Sequence, residues 1–221
     1  DGTGKNTADE TSVSQAIDWC IDTFSADIIS LSLGGNQGNG MSREGPSASV
    51  TRKAVDMGIF VVAAAGNDGG MDDDGRVSVP SNVARAISVG ASTKGGEVWG
   101  NSSLGTQTQL NGEQRSNPNL KPEIIAPGES IISTGRGDRW YSSSGTSDAT
   151  VFVTAALALI LEDQPNLKPN ANSNGSCIDT VKNALRLSAQ STGDGHSDKT
   201  GYGELNAGKW LLTVRTMPTC Q

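Results

Sequence analysis

The chain of 221 residues holds one histidine, three cysteines and only 4% aromatic residues. Cys20, Cys177 and Cys220 form no C-x-x-C pair and none lies near the histidine, which argues against a zinc site. The longest nearly pure apolar run, Val151 to Leu161, falls far short of the roughly 20 residues needed to span a bilayer, so no membrane span is expected. Positive charge is scarce as well. Seventeen Lys+Arg stand against 24 Asp+Glu, a formal net charge of −7, and such a chain repels phosphate backbones and anionic lipid. Nucleic acid is therefore not an expected partner. With 8 prolines, and 28 glycines in no G-x-y period, collagen and proline-rich disorder are excluded. The opening Asp1-Gly2-Thr3-Gly4 has no initiator Met, basic stretch or apolar stretch, so translation is expected to begin upstream of Asp1.

What remains suffices for one soluble domain over residues 1–221, with a core drawn from 34% hydrophobic residues. If the protein is exported, Cys177 and Cys220 are expected to pair near the C-terminus. Cys20 would then be a buried thiol or the partner of a cysteine on another chain. Three unpaired small residues are an equally supported reading. Asn101-Ser102-Ser103 and Asn174-Gly175-Ser176 match the short N-glycosylation pattern.

Helical and β-rich patterns alternate along the chain. Ser12-Val13-Ser14-Gln15 reads as a capping box, and Val13, Ile17, Cys20, Ile21 and Phe24 recur at helical spacing, predicting a helix that ends near Ser25. A β-favouring run, Asp27 to Leu33, stops at Gly34-Gly35; a second helix is expected around Ser47 to Met57. Ile59 to Ala65 and Ala86 to Ala91 are continuous apolar runs of the length of strands buried on both faces. Strand, helix, strand implies parallel pairing through a crossover, and the whole predicts one α/β layered domain. Residues Thr93 to Pro122 read as surface loop with short edge strands. A long apolar helix is expected from Gly145 to about Glu162, ended by Pro165, and an amphipathic one from Ser176 to Ser188. Asp72-Asp73-Asp74 offers carboxylates to calcium, but its spacing matches no EF-hand and a solvated turn is the better reading.

Chemistry concentrates in Ser142-Ser-Ser-Gly145-Thr146-Ser147-Asp148-Ala149-Thr150. A serine at a helix N-terminus meets unsatisfied N–H groups and the positive end of the dipole, which suits a nucleophile whose attack creates an oxyanion. By itself the pattern fits a helix cap at Thr146 or Ser147 at least as well. Ala63-Ala-Ala-Gly66-Asn67-Asp68-Gly69 follows a buried strand. There Asn67 offers an amide donor, although Gly-Asn-Asp-Gly alone is more often a turn.

Taken together and in order, these segments resemble the C-terminal two thirds of the catalytic domain of subtilisin-like serine peptidases, the subtilases. The resemblance is carried by Asp27-Ile-Ile-Ser-Leu-Ser-Leu-Gly-Gly35, Val61-Val-Ala-Ala-Ala-Gly-Asn-Asp-Gly69, Ala86-Ile-Ser-Val-Gly-Ala-Ser92, Lys121-Pro-Glu-Ile-Ile-Ala-Pro-Gly128 and Ser144-Gly-Thr-Ser-Asp-Ala-Thr150. Gly201-Tyr-Gly-Glu-Leu-Asn-Ala207 is similar to the family's closing motif. The fold this implies is a doubly wound, mostly parallel sheet flanked by helices, with the N-terminal part of the domain absent from this chain. The resemblance implies that Ser147 is the acyl-forming nucleophile of a serine endopeptidase, and that Asn67 and the Ser147 N–H hold the oxyanion. It further implies that Ser32, Leu33 and Gly34 pair with an extended peptide substrate, and that Ala64, Ala65 and Gly66 line the pocket for its side chain. Secretion and structural calcium come with the resemblance; no other cofactor is required.

The family's catalytic Asp and His motifs, expected upstream of every matched segment, are missing. The single histidine, His196, follows Ser147 and reads as a loop residue. Asp148 stands where the family usually has Met, a departure that places a carboxylate beside the nucleophile. Three accounts follow. In the first, an N-terminal fragment of the same precursor carries Asp and His and stays bound, and this chain alone is inactive. In the second, the fold has become an inactive structural or binding module of an extracellular assembly. The third is an α/β-hydrolase esterase using His196. It is disfavoured because Arg136 to Ser144 lacks the pattern of the strand that a G-x-S-x-G elbow needs.

Overall fold

Four short runs rich in Ile, Val and Ala, each too brief for a helix, become the four strands of one sheet: β1 (Ile28–Leu31), β2 (Phe60–Ala64), β3 (Ile87–Ser92) and β4 (Ile124–Pro127). The computed structural model describes residues 8–35, 45–70, 74–109, 111–170, 175–191, 193, 195–218 and 220. All three strand pairings are parallel and the order is β1-β2-β3-β4, with Ile29 opposite Val61, Val62 opposite Ile87 and Val89 opposite Ile124. Every residue of β2 and β3 is buried, as unbroken apolar runs in a parallel sheet require. Each Val, Ile or Phe buried this way contributes about 1.5–3 kcal/mol. Among the described residues β1 is one edge of the sheet and β4 the other.

Among the described residues five α-helices flank the sheet: α1 (Glu10–Asp22), α2 (Pro46–Asp56), α3 (Thr146–Asp163), α4 (Ser176–Ser188) and α5 (Ala207–Val214). The long helix α3 lies across all four strands and buries Val153, Leu157 and Ile160 against them. The first helix starts two residues before the expected capping box. Its cap is Asp9, whose carboxylate accepts from Ser12 N at 2.9 Å and from Ser12 Oγ at 2.6 Å. A charged acceptor outcompetes a hydroxyl for the first turn's free N–H groups. Residues 139–143, which do not read as a strand in the sequence, form β6 (Arg139–Ser143), paired antiparallel with β5 (Ile131–Gly135). This hairpin leads straight into the N-terminus of α3.

Two connections fix the C-terminal part. Trp210, wholly buried in α5, donates Nε1–H to the Val181 carbonyl of α4 at 3.0 Å. Cys177 and Cys220 form a disulfide, with Cα atoms 5.0 Å apart, and close a loop of sequence separation 43. Loop entropy alone makes such a link worth on the order of 4 kcal/mol.

The segment read as surface loop is not all surface: Ser102, Ser103 and Lys121 are buried, and Lys121 joins a charged cluster formed with residues beyond the segment. Lys121, Glu123 and Lys182 of α4 are all buried. Glu123 Oε1 accepts from Lys121 Nζ at 2.9 Å and Lys182 Nζ at 2.7 Å, while Glu123 Oε2 accepts from Ser88 N at 2.8 Å. Carbonyls of Ala84 and Ala86 and the Asn119 Oδ1 take the remaining ammonium protons. Burial pushes both lysines below their ordinary range, Lys121 well below it, against the pull of Glu123.

Candidate active site

The C-terminal ends of a parallel sheet's strands are where connecting loops gather, and three of them meet here. The Ser32–Gly34 segment leaves β1, the Ala65–Asn67 segment leaves β2, and Gly128 after β4 accepts a hydrogen bond from Gly145 N at 2.7 Å. That last bond seats the turn from which α3 starts, with Thr146 and Ser147 as its first two helical residues. Ser147 is half-buried at the positive end of the helix dipole.

Asn67 is locked in one orientation by a partner 79 residues away. Its Oδ1 accepts from Thr146 N and from Thr146 Oγ1, both at 2.9 Å. A backbone N–H can only donate, so that side of the amide is the oxygen and Nδ2 faces the other way. A Cβ placed on Gly145 would stand 3.4 Å from Asn67 Nδ2 and 3.7 Å from Ser147 N. Asn67 Oδ1 would also lie 3.7 Å away, so the Asn67 amide and the Ser147 backbone nitrogen stand close to the same side of Gly145. Backbone N–H groups at a helix N-terminus and a side-chain amide beside them are the donor types that stabilise a developing oxyanion.

The surrounding shell is built from small residues. Ala64 and Ala65 are buried beneath the loop, and Gly66 has φ +119°, a conformation that L side chains rarely adopt. A Cβ on Gly66 would overlap the hydroxyls of Ser78 and Ser103, and one on Gly34 would stand 2.7 Å from Ser78 Cβ. Ser78 therefore packs between the two segments expected to hold substrate, Ser32–Gly34 and Ala65–Gly66. Ser103 hydrogen-bonds the Asp68 carboxylate. Sequence reading missed both serines, because nothing local distinguishes them and their partners lie far along the chain.

Ser147 Oγ donates to the Ser32 carbonyl at 3.2 Å. Asp148, in the first turn of α3, accepts from Ser143 Oγ at 2.6 Å. His196 is not brought to the serine. Its Nε2 bonds the Pro122 carbonyl at 2.8 Å and its ring meets Tyr202 edge-on. Pro122 precedes β4, whereas the Ser147 turn is seated after it, so the whole strand, about 13 Å of extended chain, lies between them. Burial lowers the His196 pKa. The esterase arrangement is therefore not formed.

Among the described residues no group of three or more His, Cys, Asp or Glu could hold a metal ion. Asp72, Asp73 and Asn174 lie outside the described residues. No helix of the described residues is long and apolar enough to cross a membrane. Cys20 is free and half-buried.

The family model described as "Subtilase family" matches residues 1–203. Subtilisin DY of Bacillus licheniformis is 31% identical over 196 residues, covering 89% of this chain and 60% of that one. Subtilisin E of Bacillus subtilis (strain 168) is 35% identical over 149 residues, covering 67% of this chain and 34% of that one. The chain thus spans between about a third and three fifths of the length of these relatives. Among solved structures, the prenylagaramide maturation protease PagA shares the fold with a TM-score of 0.72 at 24% identity, covering 95% of this chain and 69% of that one. A parallel sheet flanked by helices, a serine opening its central helix and a family match across nearly the whole chain lead to one conclusion: the chain belongs to the subtilase family.

Proposed function

We propose that the chain is the nucleophile-bearing part of a serine endopeptidase that cleaves peptide bonds through an acyl-enzyme on Ser147. The observation that carries this reading is that Thr146 N, next to Ser147 at the start of α3, holds Asn67 Oδ1 at 2.9 Å and so fixes the Asn67 amide beside the serine turn. In the proposed reaction an extended peptide lies along Ser32–Gly34, and its side chain enters a pocket lined by Ala64, Ala65 and Gly66. Ser147 Oγ attacks the carbonyl carbon and the C–O bond forms as its proton passes to a base. The carbonyl oxygen becomes an oxyanion held by Asn67 Nδ2 and the Ser147 N–H. Collapse breaks the C–N bond, the base returns its proton to the leaving amine, and water then hydrolyses the ester.

The base is the part this chain does not supply. With His196 committed to Pro122, a histidine and its orienting aspartate are assigned to an N-terminal segment of the same precursor, bound as a separate fragment. This chain alone is then inactive. The disulfide is consistent with an extracellular or cell-surface protein. Intact mass measurement of the native protein tests the assignment: a companion chain carrying a histidine, with peptide hydrolysis by the pair and none by this chain alone, is the expected result.

A second reading is favoured by one observation, that Ser147 Oγ donates to a carbonyl, Ser32 O, rather than to a base. In it the fold is an inactive structural or binding module of an extracellular assembly. A folded monomer that has no companion and never hydrolyses peptide supports that reading and refutes the first.

A further inference from the structure

The last turn of α4 carries Arg186, half-buried, over the ring of Tyr202, with its guanidinium carbon 6.0 Å from the ring centroid. A cation at a helix C-terminus meets the negative end of the dipole, and an aromatic face attracts it further. Neither role uses the planar edge of the guanidinium, which presents its N–H donors as a fork. Arg186 Nε is buried and meets no acceptor among the described residues. These groups border a cavity of about 350 Å³, to which Arg186 brings positive charge and Leu120 and Leu187 bring apolar surface. No Asp or Glu is among the described residues that line it. In a chain of net charge −7 that is a departure from the average surface. The other polar walls add no negative charge. Burial pushes the Tyr202 phenol up to about 12, and its O–H donates to Asn117 Oδ1 at 2.7 Å, which leaves Asn117 Nδ2 as a further donor of the lining. His196 reaches the cavity with its Nε2–H held by the Pro122 carbonyl, at the end of β4 remote from the Ser147 turn. The larger cavity beside α2, of about 630 Å³, differs in that Arg85 faces Asp56 and Asp179 there, so its charge is answered within the chain.

We propose that the cavity between the end of α4 and the His196 loop is a second binding site, separate from the Ser147 site, for a carboxylate that carries an apolar body, as the free C-terminal residue of a peptide with an aliphatic side chain does. The carboxylate oxygens accept from the edge of the Arg186 guanidinium, a pairing that is bidentate by its geometry, and Asn117 adds a donor. The aliphatic group rests against Leu120 and Leu187. A small number of placed polar groups in an otherwise apolar lining is the make-up of a site for a small ligand, and the volume lies in the range such sites have. Both parts of the ligand are needed. A phosphate answers the guanidinium but places nothing on the apolar wall, and an uncharged apolar group leaves the buried donor unmet. The site stands independently of the peptidase reading, although peptide hydrolysis generates carboxylates of this kind.

The chain's one histidine lines this site, so a single imidazole signal in the NMR spectrum reports on it. N-acetyl-leucine, N-acetyl-leucinamide and inorganic phosphate are each titrated into the labelled protein at constant pH. The acid is expected to shift the His196 and Tyr202 ring signals saturably and to bind at least tenfold more tightly than the amide or the phosphate. Arg186→Gln is expected to weaken binding of the acid at least tenfold, with the circular dichroism of the free chain unchanged. Arg186→Lys, which keeps the charge but loses the fork, is expected to fall between. The comparison of acid with amide is made in the unaltered chain, so it decides the matter even where a variant fails to fold. No saturable shift with the acid, equal affinity for acid and amide or for acid and phosphate, or binding untouched by Arg186→Gln overturns the proposal. Binding of the acid that appears only in Asp194→Asn would identify the chain's own carboxylate as the occupant and overturn it as well.

Discussion

Ser147 and Ser32 hold each other through a reciprocal pair of hydrogen bonds: Ser147 Oγ donates to the Ser32 carbonyl at 3.2 Å, and Ser32 Oγ donates to the Ser147 carbonyl at 3.0 Å. The serine proton is thus directed at a carbonyl, which cannot accept it as a base, and the hydroxyl rests in an unactivated state. Ser147→Ala removes only one partly exposed bond, a loss of about 0.5–1.5 kcal/mol. The expected outcome is a nearly unchanged thermal midpoint with loss of peptide hydrolysis by the complemented enzyme, read by calorimetry and a peptide assay on the same samples.

Asn67→Ala deletes one of the two donors at the oxyanion position. Comparable donors contribute about 10²- to 10³-fold to kcat. The complemented enzyme is expected to lose kcat on that scale with little change in KM, because the donor acts on charge that develops only in the transition state. An equal loss carried by KM would place Asn67 in ground-state binding instead.

At Gly66 two penalties coincide. Its φ of +119° is unfavourable for any side chain, and a Cβ would collide with Ser78 and Ser103. Gly66→Ala is expected to destabilise the chain by at least about 1–3 kcal/mol, measured by urea unfolding.

The buried cluster sets two ammonium groups around one carboxylate. Glu123→Gln leaves Lys121 and Lys182 facing each other without their counter-charge. A loss of about 3–5 kcal/mol is expected in chemical denaturation. Lys121→Met, which removes one of the competing positive charges, should cost less than the loss of Glu123.

Burial holds the His196 imidazole below its ordinary pKa of 6.5. Between that lowered value and 6.5 the unfolded chain binds more protons than the folded one, so this contribution is full above pH 6.5 and is lost as the pH falls through the window. The thermal midpoint is expected to drop between pH 7.5 and pH 5.5, and His196→Gln should flatten part of that drop. An unchanged slope in the variant would contradict an imidazole held below its ordinary pKa by partial burial.

Much of this was legible in the sequence because it rests on local pattern. The apolar runs of β2 and β3 announced buried parallel strands, and α4 spans the predicted Ser176 to Ser188. Ser147 and Asn67 emerged from the order of their motifs. Features that depend on distant partners were not legible. The orientation of Asn67 is set by Thr146, and Lys121 reads as an exposed lysine until Glu123 and α4 are placed around it. The hairpin strand β6 was hidden because all but one of its residues are exposed, so it lacks a buried alternation. The start of α1 moved for a similar reason, since the charge of Asp9 outweighed the Ser12 box.

The central claim is that Ser147 becomes a nucleophile when a base is supplied in trans. A fluorophosphonate that reacts with activated serines, applied to this chain alone and to the complemented pair, tests it most directly by intact mass. The account predicts one adduct per pair, mapped to Ser147, and none on the isolated chain or on Ser147→Ala. A complemented pair that takes no adduct, or one labelled at another serine, would contradict it.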